Sequence, residues 1–475
     1  MVHIPSTSAH RGAERIAIFT DQARSSHLLA DSRRLLKRNI LDSLGCAIAA
    51  LPGQPFRALR DQFEEYRAPG RCTLIGGGKT SPDEAALFNS ALVRYVDLLD
   101  SYMSPGGLCH PADNFGALLA AAEQVNAFGD DFMLALAVAY EIQCRFTAVV
   151  PVMAKGFNHA IQLAMSIAAG TGKILGLSAS EIAHAIAIAT VDNISLTCVH
   201  TEPVSQWKGF SPGMTAMRAL FAASLARRGF TGPSGLFEGP NGLERMFGQT
   251  IAVDWEDASL KAVKQTVMKK YCSLIHGQPV LEAVLELKHC NKLTAADVDR
   301  VTCDIFQTGY DIGGGGAFGS KDHPETKEQA DYNLKYLIAV ALLDGQVGPA
   351  QLEAARVQAT DAQELLARVI IRPDEVYSAR YPRELSTRIT IRTKDERKLV
   401  KEQLGYEGGL GNSLSWERTI EKFHWLSEAF ADAELRGQIV AVVDELDARP
   451  ISDLTALLAK VRPEATFTAT HPGIQ

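Results

Sequence analysis

Apolar residues recur at three- and four-residue intervals through long stretches of the first half of the chain. Between Ser32 and Phe247 these stretches are rich in alanine and leucine, and short groups of glycine, proline and aspartate separate them. This spacing places apolar side chains on one face of a helix, so it predicts a series of amphipathic helices and an all-helical first half. The predicted helices cover residues 35–50, 116–128, 131–149, 159–175, 180–189 and 213–228.

The pattern changes after residue 253. Residues 301–306 and 388–393 alternate apolar and polar side chains, which is typical of strands, and residues 394–397 have the composition of a turn. A helical pattern then returns at 415–430 and 432–449. We predict a mainly α protein in three segments: a helical domain at 1–253, a smaller α+β domain at 254–397, and C-terminal helices at 398–475 that return to the helical domain.

Composition narrows the class of protein. The chain has 475 residues, of which 46% are hydrophobic and 22% charged, so it can bury a large core. A net charge of −7 argues against a general nucleic-acid or anionic-membrane binder. No apolar run reaches the roughly 18 residues of a membrane span, and residues 1–15 lack the hydrophobic core of a signal peptide. We expect a cytoplasmic protein that binds neither nucleic acid nor membrane.

Familiar cofactor and nucleophile motifs fail on inspection. The eight cysteines are scattered without a C-x-x-C pair, so no zinc-ribbon or common iron–sulfur spacing is visible. The G-x-S-x-G spelling at 209–213 contains Pro212, which lacks the backbone N–H that an oxyanion hole needs. The G-x-G-x-x-G spelling at 314–319 does not open a helical pattern, and Gly78-Lys79-Thr80 lacks the first glycine of a phosphate loop. We expect no metal and no cofactor.

Carboxylates, a hydroxyl and an imidazole are concentrated between two apolar helical patterns, in residues 95–114. If the start of this segment is helical, Asp97, Asp100 and Ser101 share one face, because positions i, i+3 and i+4 are neighbours on a helix. This interpretation predicts an acid/base constellation.

The end of the same segment has two possible interpretations, one catalytic and one structural. A turn at Gly106-Gly107 would present His110 at the start of the next helix, close to the carboxylates. The alternative is structural, with Asp100 or Ser101 ending one helix and Asp113 or Asn114 capping the next. These residues alone leave both interpretations open.

Basic side chains also occur in apolar surroundings farther along the chain. Each histidine alone is better explained as a buried core residue or a helix-capping residue. Together they suggest an anion site for a di- or tricarboxylate, because ammonium groups and helix N-terminal amides both stabilise carboxylate charge. These residues are His159, His200, Lys208, Lys269, Lys270 and His276.

The order of these residues resembles the MmgE/PrpD family, which includes 2-methylcitrate dehydratase, cis-aconitate decarboxylase and iminodisuccinate epimerase. The resemblance extends over residues 30–430, nearly the whole chain. Each fragment is weak alone, but seven fragments in the family's order are hard to obtain by chance. They lie at residues 97–114, 156–159, 174–178, 191–192, 200–208, 271–283 and 330–336.

This resemblance implies a large all-helical domain with an inserted α+β lid, usually in a homodimer. It also implies an active site between the domains that works without metal, flavin or nucleotide. The spacing around one lysine varies in the family, so Lys270 is an alternative to its neighbour Lys269. The family positions fall on Asp97, Ser101, His110, His159, Lys208, Lys269, His276 and Tyr336.

All three family reactions move a proton at a carbon next to a carboxylate and create enolate-like charge. We predict dehydration of a 2-methylcitrate-like substrate, in which His110 exchanges the proton and Asp97 orients it. His159 or Tyr336 then assists the leaving hydroxyl, although the acid and base roles can be exchanged. Decarboxylation and epimerisation are the alternatives within the family, and a non-catalytic helical binding protein is the more distant one. The substrate-binding residues are predicted to be Ser101, His200, Lys208, Lys269, Lys270 and His276.

Overall fold

The computed structural model describes residues 11–66, 70–105 and 107–465. Gly106, in the predicted glycine turn, lies outside this part, as do residues 1–10, which hold most of the stretch examined for a signal peptide. Ten α-helices precede residue 250 in the described part. They are α1 Gly12–Gln22, α2 Ala30–Ala50, α3 Gln54–Tyr66, α4 Pro82–Tyr95, α5 Phe115–Val125, α6 Gly129–Val149, α7 Ala160–Ile174, α8 Ala179–Val191, α9 Trp207–Ala226 and α10 Leu243–Phe247.

Shorter helices follow in the second half, and the last three are again longer on average. They are α11 Gln278–Cys290, α12 Gln307–Gly309, α13 Lys327–Ala330, α14 Leu334–Asp344, α15 Ala354–Val357, α16 Thr360–Leu366, α17 Glu375–Arg380, α18 Trp416–Ser427, α19 Ala433–Asp444 and α20 Ile451–Leu458. The fold is mainly α, as predicted. The helix-rich first half also contains short strands, which the apolar spacing does not predict.

The strands form three small sheets. The strands, in chain order, are β1 Cys72–Thr73, β2 Lys79–Thr80, β3 Ser101–Ser104, β4 Gly107–Cys109, β5 Thr266–Val267, β6 Val298–Ile305, β7 Val369–Pro373, β8 Thr387–Thr393 and β9 Lys398–Gln403. The largest sheet has the order β7-β6-β8-β9, in which β6 and β7 are parallel and the other pairs are antiparallel. Helices α11 and α14 contact this sheet. The sequence correctly predicts its two central strands, and the pairing continues past residue 397 through β9.

Helix α4 illustrates how sequence fixes an element that positions the site. It begins at Pro82, whose missing N–H costs nothing in the first turn, and the Ser81 hydroxyl accepts a hydrogen bond from the Glu84 amide. Helix α9 packs closely along α4, because a Cβ at Gly213 would lie 2.7 Å from the Leu87 carbonyl oxygen. The C-terminal helices α18 and α19 contact α2, so the end of the chain lies against its beginning.

Helix α6 is the one helix in the described residues with the length and apolar composition of a membrane span. Its most apolar window has a mean hydropathy of 1.3, which the inspection of apolar runs did not identify. Of that window, 83% is buried inside the protein. A core helix between α5 and α7 passes the same test, so the helix is weak evidence for a membrane.

Candidate active site

A cavity of about 210 Å³ is lined by residues from both halves of the chain, between Arg94 and His200 and between Lys269 and Tyr381. Its floor is buried and rich in basic and aromatic side chains. The floor residues are Arg94, His110, His159, His200, Lys269, His276 and Tyr332. We call this space the central cavity. Five of these seven are residues that the sequence predicts as site residues.

The acid/base interpretation supposes that the start of segment 95–114 is helical. The helix does not continue past Tyr95, and the actual path of the chain explains how the site forms. Helix α4 ends at Tyr95, and Asp97 has a φ of +51°, a left-handed conformation that stops the helix. Ser101, the first residue of β3, then pairs with Val267 of β5. The β3-β4 hairpin returns the chain to His110, so the carboxylates and the imidazole meet across a turn and not along a helix face.

The ring of His110 has a defined orientation. Its Nδ1 lies 2.8 Å from the Asp100 carbonyl oxygen and 3.1 Å from the Ser101 hydroxyl. A carbonyl oxygen can only accept, so Nδ1 carries the proton and Nε2 keeps a lone pair in the neutral ring. Burial lowers the pKa of His110 well below its ordinary value, and the Arg94 and Lys269 cations lower it further. His110 is therefore arranged as a neutral base.

The carboxylate of Asp100 holds the chain on the far side of His110. It accepts hydrogen bonds from the Ala112 amide at 2.9 Å, from the Tyr140 hydroxyl at 2.8 Å and from the Asn39 amide at 2.9 Å. Burial raises the pKa of Asp100 to about 7. The Asp100 carbonyl binds the His110 ring, and the Asp100 carboxylate binds the amide of Ala112, two residues after His110. Asp100 therefore positions His110 from both sides.

His159 faces His110 at the cavity floor. The ring centroids are 5.1 Å apart and the rings are nearly perpendicular. Nε2 of His159 lies 3.2 Å from the Asp113 carboxylate. Asp113 is therefore the partner of this imidazole and not a helix cap. Burial lowers the pKa of His159, and the hydrogen bond to Asp113 opposes that shift. Of the two histidines, His159 has the environment that better supports a proton.

Asp97 lies at the centre of a buried cluster of positive charge. Its carboxylate is 2.8 Å from Lys269 Nζ, 3.3 Å from an Arg94 guanidinium nitrogen and 3.8 Å from Lys208 Nζ. Burial alone would raise the pKa of Asp97, but the three cations hold it well below its ordinary value. Asp97 is thus an ionised anchor for Lys269 and Arg94, which line the cavity.

Lys208 is set behind the cavity floor. Its ammonium lies 2.5 Å from the Asp331 carboxylate and 3.7 Å from the centre of the Tyr332 ring, and it is not part of the cavity lining. Burial lowers the pKa of Lys208 to about 8. Lys327 also binds Asp331, at 2.8 Å. The predicted role of Lys208 as a direct substrate ligand would require the Tyr332 ring to move.

Among the described residues, the lining of the central cavity carries two basic side chains, Arg94 and Lys269, and no aspartate or glutamate. The carboxylates that pair with these cations and with His159, Asp97 and Asp113, lie behind the lining. A cavity lined by cations without acidic side chains favours an anionic ligand.

Two further histidines carry a ring nitrogen without a partner in the described residues. The Asn158 side-chain oxygen accepts from the Ala160 amide, so its NH2 group donates to His200 Nε2 at 2.9 Å. His200 Nδ1 then carries a proton and has no acceptor. His276 Nδ1 is also buried without a partner. Such groups are the ones that a bound carboxylate would satisfy.

Five predicted site residues do not line the central cavity: Asp97, Ser101, Lys208, Lys270 and Tyr336. The first three contact lining residues, and the other two have partners away from the site. The Tyr336 hydroxyl donates to the Gln351 carbonyl oxygen, which leaves its proton committed away from the site. Tyr332, four residues earlier in the chain, is the tyrosine at the cavity floor. The ammonium of Lys270 lies 3.1 Å from Glu407, so Lys269 and not its neighbour faces the site.

Sequence inspection also missed Arg94, Tyr332 and Tyr381 as cavity residues. A single arginine at the end of an apolar helix carries only a weak signal, because it equally suits a solvated helix end. Within the described ranges, no group of three or more histidine, cysteine, aspartate or glutamate side chains could hold a metal ion. The expectation that no cofactor is needed stays a prediction.

The fold and the cavity together define a mainly α protein. Its buried site is lined by cations and is large enough for a small anion. The chain matches the MmgE/PrpD N-terminal domain over residues 14–256 and the MmgE/PrpD C-terminal domain over residues 271–447. It therefore belongs to the MmgE/PrpD family, as the resemblance of its motifs predicts.

Curated relatives of this chain are named as dehydratases and decarboxylases. It is 25% identical to a 2-methylcitrate dehydratase of Salmonella typhi, covering 75% of this chain and 77% of the relative. It is 24% identical to a 2-methylcitrate dehydratase of Cupriavidus necator, covering 88% and 91%. It is 25% identical to a cis-aconitate decarboxylase of Mus musculus, covering 91% and 90%.

Proposed function

We propose that this protein is a cofactor-independent hydro-lyase that dehydrates a 2-methylcitrate-like tricarboxylate. The observation that carries the proposal is the His110–His159 pair, 5.1 Å apart at the floor of a positively charged cavity. The two histidines differ in environment, which is what one base and one acid need. The relatives named 2-methylcitrate dehydratase support the same reaction.

The proposed step breaks one C–H and one C–O bond. Nε2 of His110 takes the proton from a carbon next to a carboxylate, and the released electron pair forms a C=C bond as the hydroxyl leaves the neighbouring carbon. His159, protonated when the substrate binds, gives its proton to that hydroxyl, which departs as water. Arg94 and Lys269 stabilise the enolate-like charge on the carboxylate.

The assignment of base and acid follows from the surroundings of each ring. His110 is flanked by cations, which disfavour its protonation, whereas His159 binds Asp113, which favours it. A tricarboxylate adds negative charge beside both rings, and His159 is the one better placed to take up the proton. The opposite assignment would require a proton on the ring that Arg94 and Lys269 repel.

Decarboxylation of cis-aconitate remains the second candidate, because a decarboxylase covers 91% of this chain at the same identity. Epimerisation of iminodisuccinate is the third family chemistry. The same cations and histidines would serve either reaction. A non-catalytic binding protein would have no need of the His110 arrangement, in which the proton is held away from the cavity.

A direct screen tests the proposed function. The purified protein is incubated separately with 2-methylcitrate, citrate, cis-aconitate and iminodisuccinate, and products are identified by mass spectrometry and NMR. We expect loss of one water from 2-methylcitrate with formation of a conjugated C=C bond. Release of CO2 from cis-aconitate without dehydration of either citrate would assign the decarboxylase instead. If none of the four compounds is converted, the non-catalytic binding protein is the remaining candidate.

The pH dependence of the reaction follows from His110. The base must be neutral, so kcat/KM falls as pH drops through the pKa of His110 in the free enzyme. Burial also lowers the pKa of His159, the proposed acid, so this ring is mostly neutral in the free enzyme near pH 7. We therefore expect kcat/KM to rise as pH falls from neutral towards the pKa of His159, and to fall again only below the pKa of His110, which burial and two cations place well under 6.5. Bound carboxylates raise the pKa, so the acid limb of kcat should lie at higher pH. A fall of kcat/KM on the acid side that already begins above pH 6.5 would contradict a cation-flanked base.

Asp100→Asn tests the positioning of His110. An amide has one oxygen, so it cannot accept from Ala112 on one side and from Tyr140 and Asn39 on the other. We expect kcat to fall by roughly tenfold to a hundredfold with KM little changed, since the ring is displaced but the cations are not. Tyr140→Phe removes a single hydrogen bond to Asp100 and should cost less. If Asp100→Asn raises KM and leaves kcat unchanged, Asp100 does not position the base.

We also infer that two copies of the chain associate, as the family resemblance implies. Large apolar side chains near α8 and α9 are exposed, with Ile194 at 65%, Phe230 at 58% and Phe221 at 51%. Large exposed apolar side chains become buried where they form part of an interface between subunits. Light scattering on the purified protein measures the mass directly, and a monomer at all concentrations would contradict the inference.

A further inference from the structure

The central cavity has two chemically different ends. The floor is buried and carries the cations and histidines described above. The mouth is formed by partly exposed residues, and in the described part of the chain none of these mouth residues is charged. Five of them are apolar: Pro105, Leu108, Pro151, Met153 and Ala154. We call these five residues the apolar collar.

A small tricarboxylate gives the apolar collar no partner. Carboxylates placed there would lose water without gaining a hydrogen bond or a counter-charge, which is costly. All the cations of the site lie at the floor, so the carboxylates belong there. A substrate that fills the cavity from floor to mouth therefore has a charged head and an apolar tail.

We propose that the substrate is a citrate-type tricarboxylate with an alkyl chain longer than methyl on the carbon that loses the proton, and that this chain lies against the apolar collar. The inference rests on the proposed function and names its substrate class more closely. Ile312 and Leu274 extend the apolar wall inside the cavity, where they are buried. The chain would run from the reacting carbon past these side chains to Leu108 and Met153.

The proposal has a quantitative consequence. Each methylene transferred from water to an apolar wall stabilises the bound state enough for about a fourfold gain in kcat/KM. The gain should persist for the few methylenes that fit along the collar and then level off, because further carbons extend into solvent. If the collar served only to exclude water from a smaller substrate, each added methylene would instead clash and lower kcat/KM.

The test measures kcat/KM for citrate, 2-methylcitrate, 2-ethylcitrate and 2-butylcitrate with the full chain. We expect 2-butylcitrate to exceed 2-methylcitrate by tenfold or more. A preference for 2-methylcitrate with a steep fall for longer chains would overturn the inference and leave the proposed function standing. No dehydration of any of the four would instead overturn the proposed function itself.

Collar variants locate the effect. Met153→Ser and Leu108→Ser should each lower the ratio of kcat/KM for 2-butylcitrate over 2-methylcitrate by at least threefold, because each removes apolar wall and not a cation. Met246→Ser is the matched control, since Met246 is 40% exposed on α10 and does not line the cavity. Its ratio should equal that of the parent protein. Equal ratios in all variants would show that the chain does not contact the collar.

Discussion

Replacement of His110 by glutamine is expected to lower kcat by a factor on the order of 10² or more. Glutamine is close to histidine in size and its amide can still donate a hydrogen bond, but it cannot take up a proton as the imidazole does. KM should change little, because Arg94 and Lys269 still bind the carboxylates. Steady-state kinetics on 2-methylcitrate measures both quantities, together with the melting temperature as a check on folding.

Two matched variants interpret that result. His289→Gln makes the same change at an exposed residue outside the cavity and should leave kcat at the parent value. His159→Gln should also lower kcat strongly, because the acid is lost. If His110→Gln turns over at the parent rate, His110 is a residue that begins the turn before α5 and the base lies elsewhere.

Asp97→Ala is expected to lower the free energy of unfolding by about 3 to 5 kcal/mol, because it leaves buried cations without their counter-charge. Lys269 loses both its closest carboxylate contact and the shape of the turn that offers it the Asp97 carbonyl. Denaturant titration monitored by circular dichroism measures the change. Activity should be lost as well, since Lys269 no longer has a fixed position.

Asp304→Ala is the matched control for this prediction. Asp304 binds Arg372 and Arg388 in the large sheet, but these arginine side chains are 58% and 45% exposed and can be rehydrated when the carboxylate is removed. Its effect should therefore be clearly smaller. The double variant Asp97→Ala, Lys269→Met should recover part of the lost stability, because it removes one stranded charge. Equal losses for the two aspartates would contradict a buried charge cluster.

Regular elements of this fold could be predicted because their patterns are long. Helix α6 and helix α7 bury apolar side chains at helical spacing, and strand β8 alternates buried and exposed residues along its length. The path at Asp97 could not be predicted in the same way. A left-handed aspartate between a helix and a hairpin has no periodicity, and it is held there by cations from distant parts of the chain.

The site residues divide along the same line. His110 and His159 begin helical turns and interrupt apolar patterns, so they were visible in the sequence. The sequence predicted Tyr336, whereas Tyr332 lies at the cavity floor. This difference was not visible in the sequence, because both tyrosines belong to one short segment and only tertiary packing directs the Tyr336 hydroxyl to Gln351. The same holds for Lys269 and Lys270, adjacent residues whose side chains have different carboxylate partners.

Hydration in D2O directly measures the proton transfer that we assign to His110, at a carbon next to a carboxylate. The protein is incubated with 2-methylaconitate in D2O, and the 2-methylcitrate formed is examined by NMR and mass spectrometry. We predict one deuterium on the carbon next to the carboxylate in the parent protein, and hardly any product from His110→Gln. Product formed by His110→Gln at the parent rate, with the same deuterium content, would show that His110 is not the base.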